Sequence, residues 1–313
     1  MVVPFLLREA ITYSSILSLL AIGLTLTFLT TRVPNFAHGT SATIGTYVTL
    51  VSVMVFSSSP YLLFPLSVVL GGVAALVLYK AFLKPLMNRG ASIILLMIAT
   101  VAYDMILVAV INIFADYLST LQIRSRLFIL RGFDFSVADL PGVFILSPLM
   151  AFGIIGGLHL ALTRTKFGVA MRATIENESL AGVVGINTDL VYSVSWFLSG
   201  AVAGLAGGFL ALFSIGRPDM GSIMLVSIFA ASVTGGFFSI YGAVVGGFVI
   251  GLAEYMGLSY VAGQVGDWIL PYRPVVPLLA MVIVLLASPH GLTGIRWSRL
   301  AKLMEVFGRG STA

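Results

Sequence analysis

Long uncharged apolar runs dominate this chain; "SSILSLLAIGLTLTFLT" and "VVPLLAMVIVLLA" are two of nine such segments. A helix needs about 20 mostly apolar residues to cross hydrocarbon. Hydrocarbon admits only helices and closed barrels, because every backbone donor and acceptor must be satisfied without water. Barrel strands alternate apolar and polar residues, whereas these runs are continuous. The chain therefore reads as an all-α, polytopic transmembrane helical bundle. Its composition agrees: 9% of residues are charged and the mean hydropathy is +1.08, against about 25% charged in soluble domains.

Cutting the runs at clusters of Pro, Gly, Asn and Ser places spans at about 10–31, 39–57, 60–80, 91–114, 142–162, 190–213, 222–237, 241–258 and 274–289. The count is eight to nine, because the two runs flanking "TGGFFSIYGAVVGG" are short and interrupted by glycine, and one of them is expected to be broken or re-entrant. All spans belong to one domain, residues 1–295, followed by a basic tail, 296–313. Residues 115–141 mix both charge signs with aromatics and are too polar to span, so they read as a structured extracytoplasmic linker. The start, "MVVPFLLREA", has neither a basic region nor a cleavage site, so no cleaved signal peptide is expected.

Basic residues gather in cytoplasmic loops. Lys80, Lys84, Arg89, Arg164, Lys166, Arg172, Arg296, Arg299, Lys302 and Arg309 fall on one side, ten in all, against six on the other: Arg8, Arg124, Arg126, Arg131, Arg217 and Arg273. The bias puts the loop 163–189 and the C-terminus in the cytoplasm and the N-terminus outside. The net charge of +5 is then explained by anionic lipid, and nucleic-acid binding is not expected.

Chemistry has little to build on. Without cysteine there is no disulfide, thiolate nucleophile or thiolate ligand. His38, His159 and His290 stand apart, none with a second ligand three or four residues away, so no metal or other cofactor is expected. "GxSxG" and "GxxxxGK[ST]" do not occur, which leaves neither a serine nucleophile motif nor a nucleotide site. Two carboxylates lie within apolar runs, Asp104 and Glu254. Charge at membrane depth is costly and marks transport paths by default; the structural alternative is that each snorkels from a helix end or bonds a neighbouring helix.

Asn35 and His38 interrupt the apolar pattern in "TTRVPNFAHGTSATIG", where Pro34 and Gly39 punctuate two spans and Arg32 sits near the cytoplasmic end of the first. The break is either an ordinary turn in water or lies within the membrane, where such backbone must be buried in protein or line a cavity. Asn35, His38, Asp104 and Glu254 are thus the candidate translocation-path residues. "TRVPN" faintly echoes "GRPDM" around Pro218, over too few positions to read as a repeat. Gly200, Gly204, Gly207 and Gly208 share helical spacing, which in lipid marks close helix contacts.

In the loop 163–189, Asn177 suits an N-cap, Glu178 the first turn and Gly185 the position past the end of a helix of about two turns. Leu180, Val183 and Val184 fall on one face of it. So short a helix is not stable alone; it docks either on lipid or into a partner protein.

Taken in order, "GLTLTF…NFAHG…GTYV", "RATIENESLAGVVGIN", "TGGFFSIYGAVVGG…GLAE" and "PHGLTG" resemble the branched-chain amino acid ABC-transporter permeases, the subunit type carrying N-F-A-H-G, over residues 23–294. The resemblance implies a non-catalytic, pore-forming subunit in the cell membrane. Its implied partners are a homologous permease, two cytoplasmic ATP-binding subunits and an extracytoplasmic substrate-binding protein. Arg172, Asn177, Ala181, Gly185, Ile186 and Asn187 match the family's coupling loop; with Glu176, Glu178, Leu180, Val183 and Val184 they form the expected ATPase-docking segment. Leu180 departs from the family's usual alanine and Thr293 from its usual phenylalanine. The competing reading is an autonomous secondary transporter or channel using Asp104 or Glu254. The capped helix, and the lack of a paired charge network along any one span, favour the ATPase-driven reading.

Overall fold

In the computed structural model, residues 4–288 and 291–292 are described; His290, Thr293 and the basic tail 296–313 lie outside them. The chain is an all-α polytopic bundle. Its helices are α1 (Phe5–Thr31), α2 (His38–Met54), α3 (Phe64–Val77), α4 (Lys84–Asn88), α5 (Ile93–Thr120), α6 (Gly142–Arg164), α7 (Lys166–Glu176), α8 (Glu178–Val183), α9 (Thr188–Phe213), α10 (Met220–Gly235), α11 (Ile240–Leu252), α12 (Leu258–Val265) and α13 (Val275–Ala287). Short 3₁₀ and π turns make residues 60–88 continuous through α3 and α4, and residues 240–265 continuous through α11 and α12. Six of the resulting rods are long and apolar enough to cross a membrane, while α10 and α13 are shorter apolar helices.

Helix α5 continues to Thr120, six residues into the segment read as linker. "ADYLST" is helical because Ala115 and Leu118 are buried against the bundle while Asp116 stays at the surface in an ion pair with Arg126. The rest of the linker folds over one end of the bundle. It carries a hairpin, β1 (Ser136–Val137) with β2 (Leu140–Pro141), turned by Ala138 and Asp139 at positive φ. Arg131 pairs with Glu9 and Arg8 donates to the Asp139 carbonyl, tying the start of α1 to this face.

α1 and α9 form the centre and are buried almost throughout, whereas α5 and α6 are mostly exposed. Each central helix has one antiparallel partner held by small residues. Along α9, a Cβ on Gly204 would overlap Ser67, and one on Gly200 would overlap Gly71 and Ala75, all of α3. Along α1, Ser14 and Ser18 press on Gly251 and Gly247 of α11. With no hydrophobic drive between helices in lipid, such contact is what association rests on.

The two pairs run in opposite directions through the bundle. α1 starts at the linker face and α9 starts at the α7–α8 face. Each is followed by a non-helical stretch and then a helix that begins deep inside, α2 or α10. The two deep N-termini touch backbone to backbone at Gly39 and Gly221, with the Gly221 amide donating to Thr43 Oγ1 at 2.9 Å. From there α2 rises to the linker, where the Tyr47 hydroxyl donates to the Ser125 carbonyl, and α10 descends until Phe237, just past its end, packs on Phe28. The echo around Pro34 and Pro218, too slight to trust in the sequence, therefore marks two counterpart breaks of opposite polarity.

Candidate functional site

Four places gather the residues of interest. The first is the break before α2. His38 Nε2 lies 2.9 Å from the Leu20 carbonyl, and a carbonyl only accepts, so this nitrogen carries the proton and Nδ1 faces the Ser199 hydroxyl at 3.3 Å. Leu20 stands eleven residues before the end of α1, about 16 Å at the helical rise of 1.5 Å per residue. The chain thus turns back into the bundle after Arg32, and the break is not a turn in water. Thr100 of α5 satisfies it: its hydroxyl donates to the Pro34 carbonyl and accepts from the Phe36 amide, both at 3.3 Å. Asn35 Oδ1 accepts from the Ala37 amide at 3.0 Å, while its Nδ2 is buried without a partner. Gly23 is required here, because a Cβ on it would strike the His38 ring and the Ser199 carbonyl.

The second place is Asp104, in the middle of α5 rather than near its end. Thr40 Oγ1 donates to Oδ1 at 2.5 Å and Ser222 Oγ to Oδ2 at 3.4 Å. These hydroxyls belong to the first turns of α2 and α10, so both deep helix N-termini meet at this carboxylate. The positive ends of their dipoles favour its charge. No motif pointed to Thr40 or Ser222, although each follows a glycine of the touching pair. Asp104 is half-buried, and its neighbours Val101 and Met105 are exposed on the outer face of α5.

Glu254 lies in the third place, near the linker end. It sits on a π-helical turn, Ala253–Gly257, between α11 and α12. Such turns cluster at functional sites because the extra residue re-aims a side chain. Glu254 is buried, and Ser227 of α10 donates to its Oε1 at 2.8 Å. It is not near Asp104, Asn35 or His38 in any shared contact, so the four path candidates fall into separate clusters. Arg273, which entered the sequence reading only as a loop charge, lies close by with its guanidinium 3.7 Å above the Tyr255 ring and 4.5 Å from that of Tyr13.

The loop 163–189 occupies the opposite face. α7 is an anchored platform: Met171 and Thr174 are buried, Gly168 abuts the carbonyls of Ala161 and Leu162, and Arg172 bonds the Leu162 carbonyl. α8 follows at once, because Asn177 ends α7 in an extended conformation and caps α8, its Oδ1 accepting from the Leu180 amide at 2.9 Å. Glu178 occupies the first turn, Glu176 closes α7, and Gly185 reverses the chain at φ +86°. Ala181 is the one buried side chain of α8, whereas Leu180, Val183 and Val184 are 60%, 83% and 68% exposed. After Ile186, Asn187 caps α9 through the Leu190 amide at 3.0 Å. Asp189, in the first turn of α9, pairs with Lys80 and Lys84 at 2.8 and 2.9 Å, fixing the π turn after α3 and the start of α4 beside the same face.

Among the described residues, no three His, Asp or Glu side chains gather as a metal centre requires. Residues 6–285 match the family described as the branched-chain amino acid transport system / permease component. The chain is 43% identical, over 96% of its length and 95% of the relative's, to the probable branched-chain amino acid transport permease protein LivH of Methanocaldococcus jannaschii. It is 28% identical to the high-affinity branched-chain amino acid transport system permease protein LivH of Escherichia coli, over 91% of this chain and 94% of that one. The corresponding protein BraD of Pseudomonas aeruginosa is 26% identical over 92% and 94%. No solved structure matches.

Proposed function

The chain belongs to the family of branched-chain amino acid transport permeases, and from that premise we propose that it is the non-catalytic, membrane-spanning half of an ATP-driven importer for leucine, isoleucine, valine or a related amino acid or amide. A homologous permease completes the pore, two ATP-binding subunits drive it from the cytoplasm, and an extracytoplasmic binding protein delivers the substrate. The α7–α8 face is cytoplasmic in this reading, and the C-terminus with it.

One observation supports the drive mechanism above the rest. α8 is a capped helix whose apolar residues Leu180 and Val183, with Val184 just past its end, stand exposed on a face rich in Lys, Arg and Glu, while α7 beneath it is locked into the bundle. A lone six-residue helix gains nothing by exposing aliphatic side chains on itself and its C-cap residue, so the face is made to be covered. ATP binding in the partner would push on α8. α7 would pass that motion to α1, with whose inner residues Ile22, Leu26 and Leu29 Met171 shares an apolar cluster. Alternating access needs two such global states. The path then runs beside the deep N-termini of α2 and α10, with Asp104, Thr40 and Ser222 at its wall. His38 and Asn35 hold the break that places them.

Gly185→Pro tests the docking surface. Proline cannot adopt the positive φ found there, so this variant is expected to insert normally in the membrane and to lose co-purification with the ATP-binding subunits. Normal ATPase recovery would show that the partner docks elsewhere. The alternative, proton-coupled transport by the lone chain through Asp104 or Glu254, would instead give uptake without any ATPase.

A further inference from the structure

Between the linker-side thirds of α1 and α9, the deep first half of α10 and the π turn lies a cavity of about 360 Å³, within the range of small-molecule sites. Its wall includes Glu254 and Arg273, the aromatic rings of Tyr13, Phe213 and Tyr255, and the aliphatic side chains of Leu210, Ile223 and Met224. Glu254 Oε2 and Arg273 Nη2 are both buried, and both lack a hydrogen-bond partner. The two groups attract each other across the space they line, but neither of these atoms hydrogen-bonds the other. A buried charged group with an unfilled hydrogen-bonding atom is costly, and two of opposite sign facing one cavity are more than the bundle needs for its own packing.

The surroundings hold each group in place. Ser227 and the Tyr13 hydroxyl both hold the Glu254 carboxylate, Ser227 through Oε1, and Oε2 is left open to the cavity. The Arg273 guanidinium is stacked on Tyr255 and close to Tyr13, whose rings are 4.8 Å apart; such stacking favours the cation and restricts its plane. The continuous helix through α11 departs from α-geometry where it delivers Glu254.

We infer that this cavity is a binding site within the permease for a free aliphatic amino acid. Glu254 Oε2 receives the α-ammonium group, Arg273 Nη2 the α-carboxylate, and Leu210, Ile223 and Met224 the branched side chain. The inference rests on the permease reading and adds to it a site at the linker end of the bundle, where a substrate handed over from that side arrives first. It also assigns specificity to the permease, since each of the three groups common to branched-chain amino acids meets its complement in one space.

The test uses the assembled importer in nanodiscs, without binding protein, and measures displacement of labelled leucine by leucinamide, which lacks the carboxylate, and by 4-methylpentanoate, which lacks the ammonium group. The wild type is expected to bind leucine at least tenfold more tightly than either analogue. Glu254→Gln should weaken leucine tenfold or more and leave 4-methylpentanoate unchanged; Arg273→Gln should weaken leucine similarly and leave leucinamide unchanged. A merely structural pair would weaken all three ligands alike, and that result, or wild-type leucine affinity in both variants, overturns the site. Met224→Trp fills the cavity without touching either charge and should abolish leucine binding with the melting temperature kept; retained binding overturns the site as well. Uptake separates this from the permease reading. A wild-type importer that transports leucine alongside variants of unchanged half-saturation refutes the cavity alone, whereas a wild type that transports no aliphatic amino acid removes both.

Discussion

Replacing Val183 by alanine isolates the docking role assigned to α8. Val183 is 83% exposed in the isolated chain, so trimming it removes little internal contact and should leave the permease itself about as stable as before. If an ATP-binding subunit covers it, two methyl-sized groups lose their burial. At about 0.8 kcal/mol per buried group, scaled by the 83% that is available to be covered, the loss is about 1.3 kcal/mol. That corresponds to roughly a tenfold weaker affinity, since each 1.4 kcal/mol is a factor of ten. The assay is titration of purified ATP-binding subunits onto the permease in nanodiscs, with the melting temperature measured in parallel. A change of less than about twofold in affinity, at unchanged stability, would refute docking through this face, because it is far below the burial estimate.

Three further outcomes follow from particular contacts. Asn177→Ala removes the cap bond to the Leu180 amide and should cost about 1 kcal/mol, read as roughly fivefold faster amide exchange across α8. Gly204→Ala forces a Cβ into Ser67, whereas Gly153 has nothing within 4 Å; the first should destabilise the bundle by about 1–3 kcal/mol and Gly153→Ala should leave thermal unfolding unchanged or slightly raised. Asp104→Asn keeps an acceptor for Thr40 while removing the titratable group, so ATP-driven uptake should persist within about threefold, at the scale of one neutral hydrogen bond. Loss of uptake, together with loss of its response to a proton gradient, would favour proton coupling instead.

The all-helical class was legible because satisfied backbone in hydrocarbon leaves so few options, and α8 because its start and stop lie in neighbouring residues: Asn177, Glu178 and Gly185 declare a helix without reference to the rest of the chain. Depth was not legible. Nothing local says that the six residues after Arg32 turn back toward Leu20, since the partners that satisfy them, Thr100 and Ser199, come from α5 and α9. The pairing of "HGT" with "MGS" was hidden for a related reason: counterpart helices of opposite polarity share only the few residues at their touching ends, Gly39–Thr40 and Gly221–Ser222. Arg273 was missed because an arginine ahead of an apolar run is ordinarily a membrane-surface charge. The signal available was its setting in "DWILPYRPVVP", where prolines and aromatics crowd it rather than other charges.

The claim on which the rest depends is that this chain moves amino acids only when ATPases drive it. Uptake of labelled leucine into proteoliposomes tests that directly, with the chain reconstituted alone and then with its homologous permease, the ATP-binding subunits and the binding protein. The account expects no accumulation by the lone chain and ATP-dependent accumulation by the assembly. Leucine accumulation by the lone chain, indifferent to ATP, would contradict it.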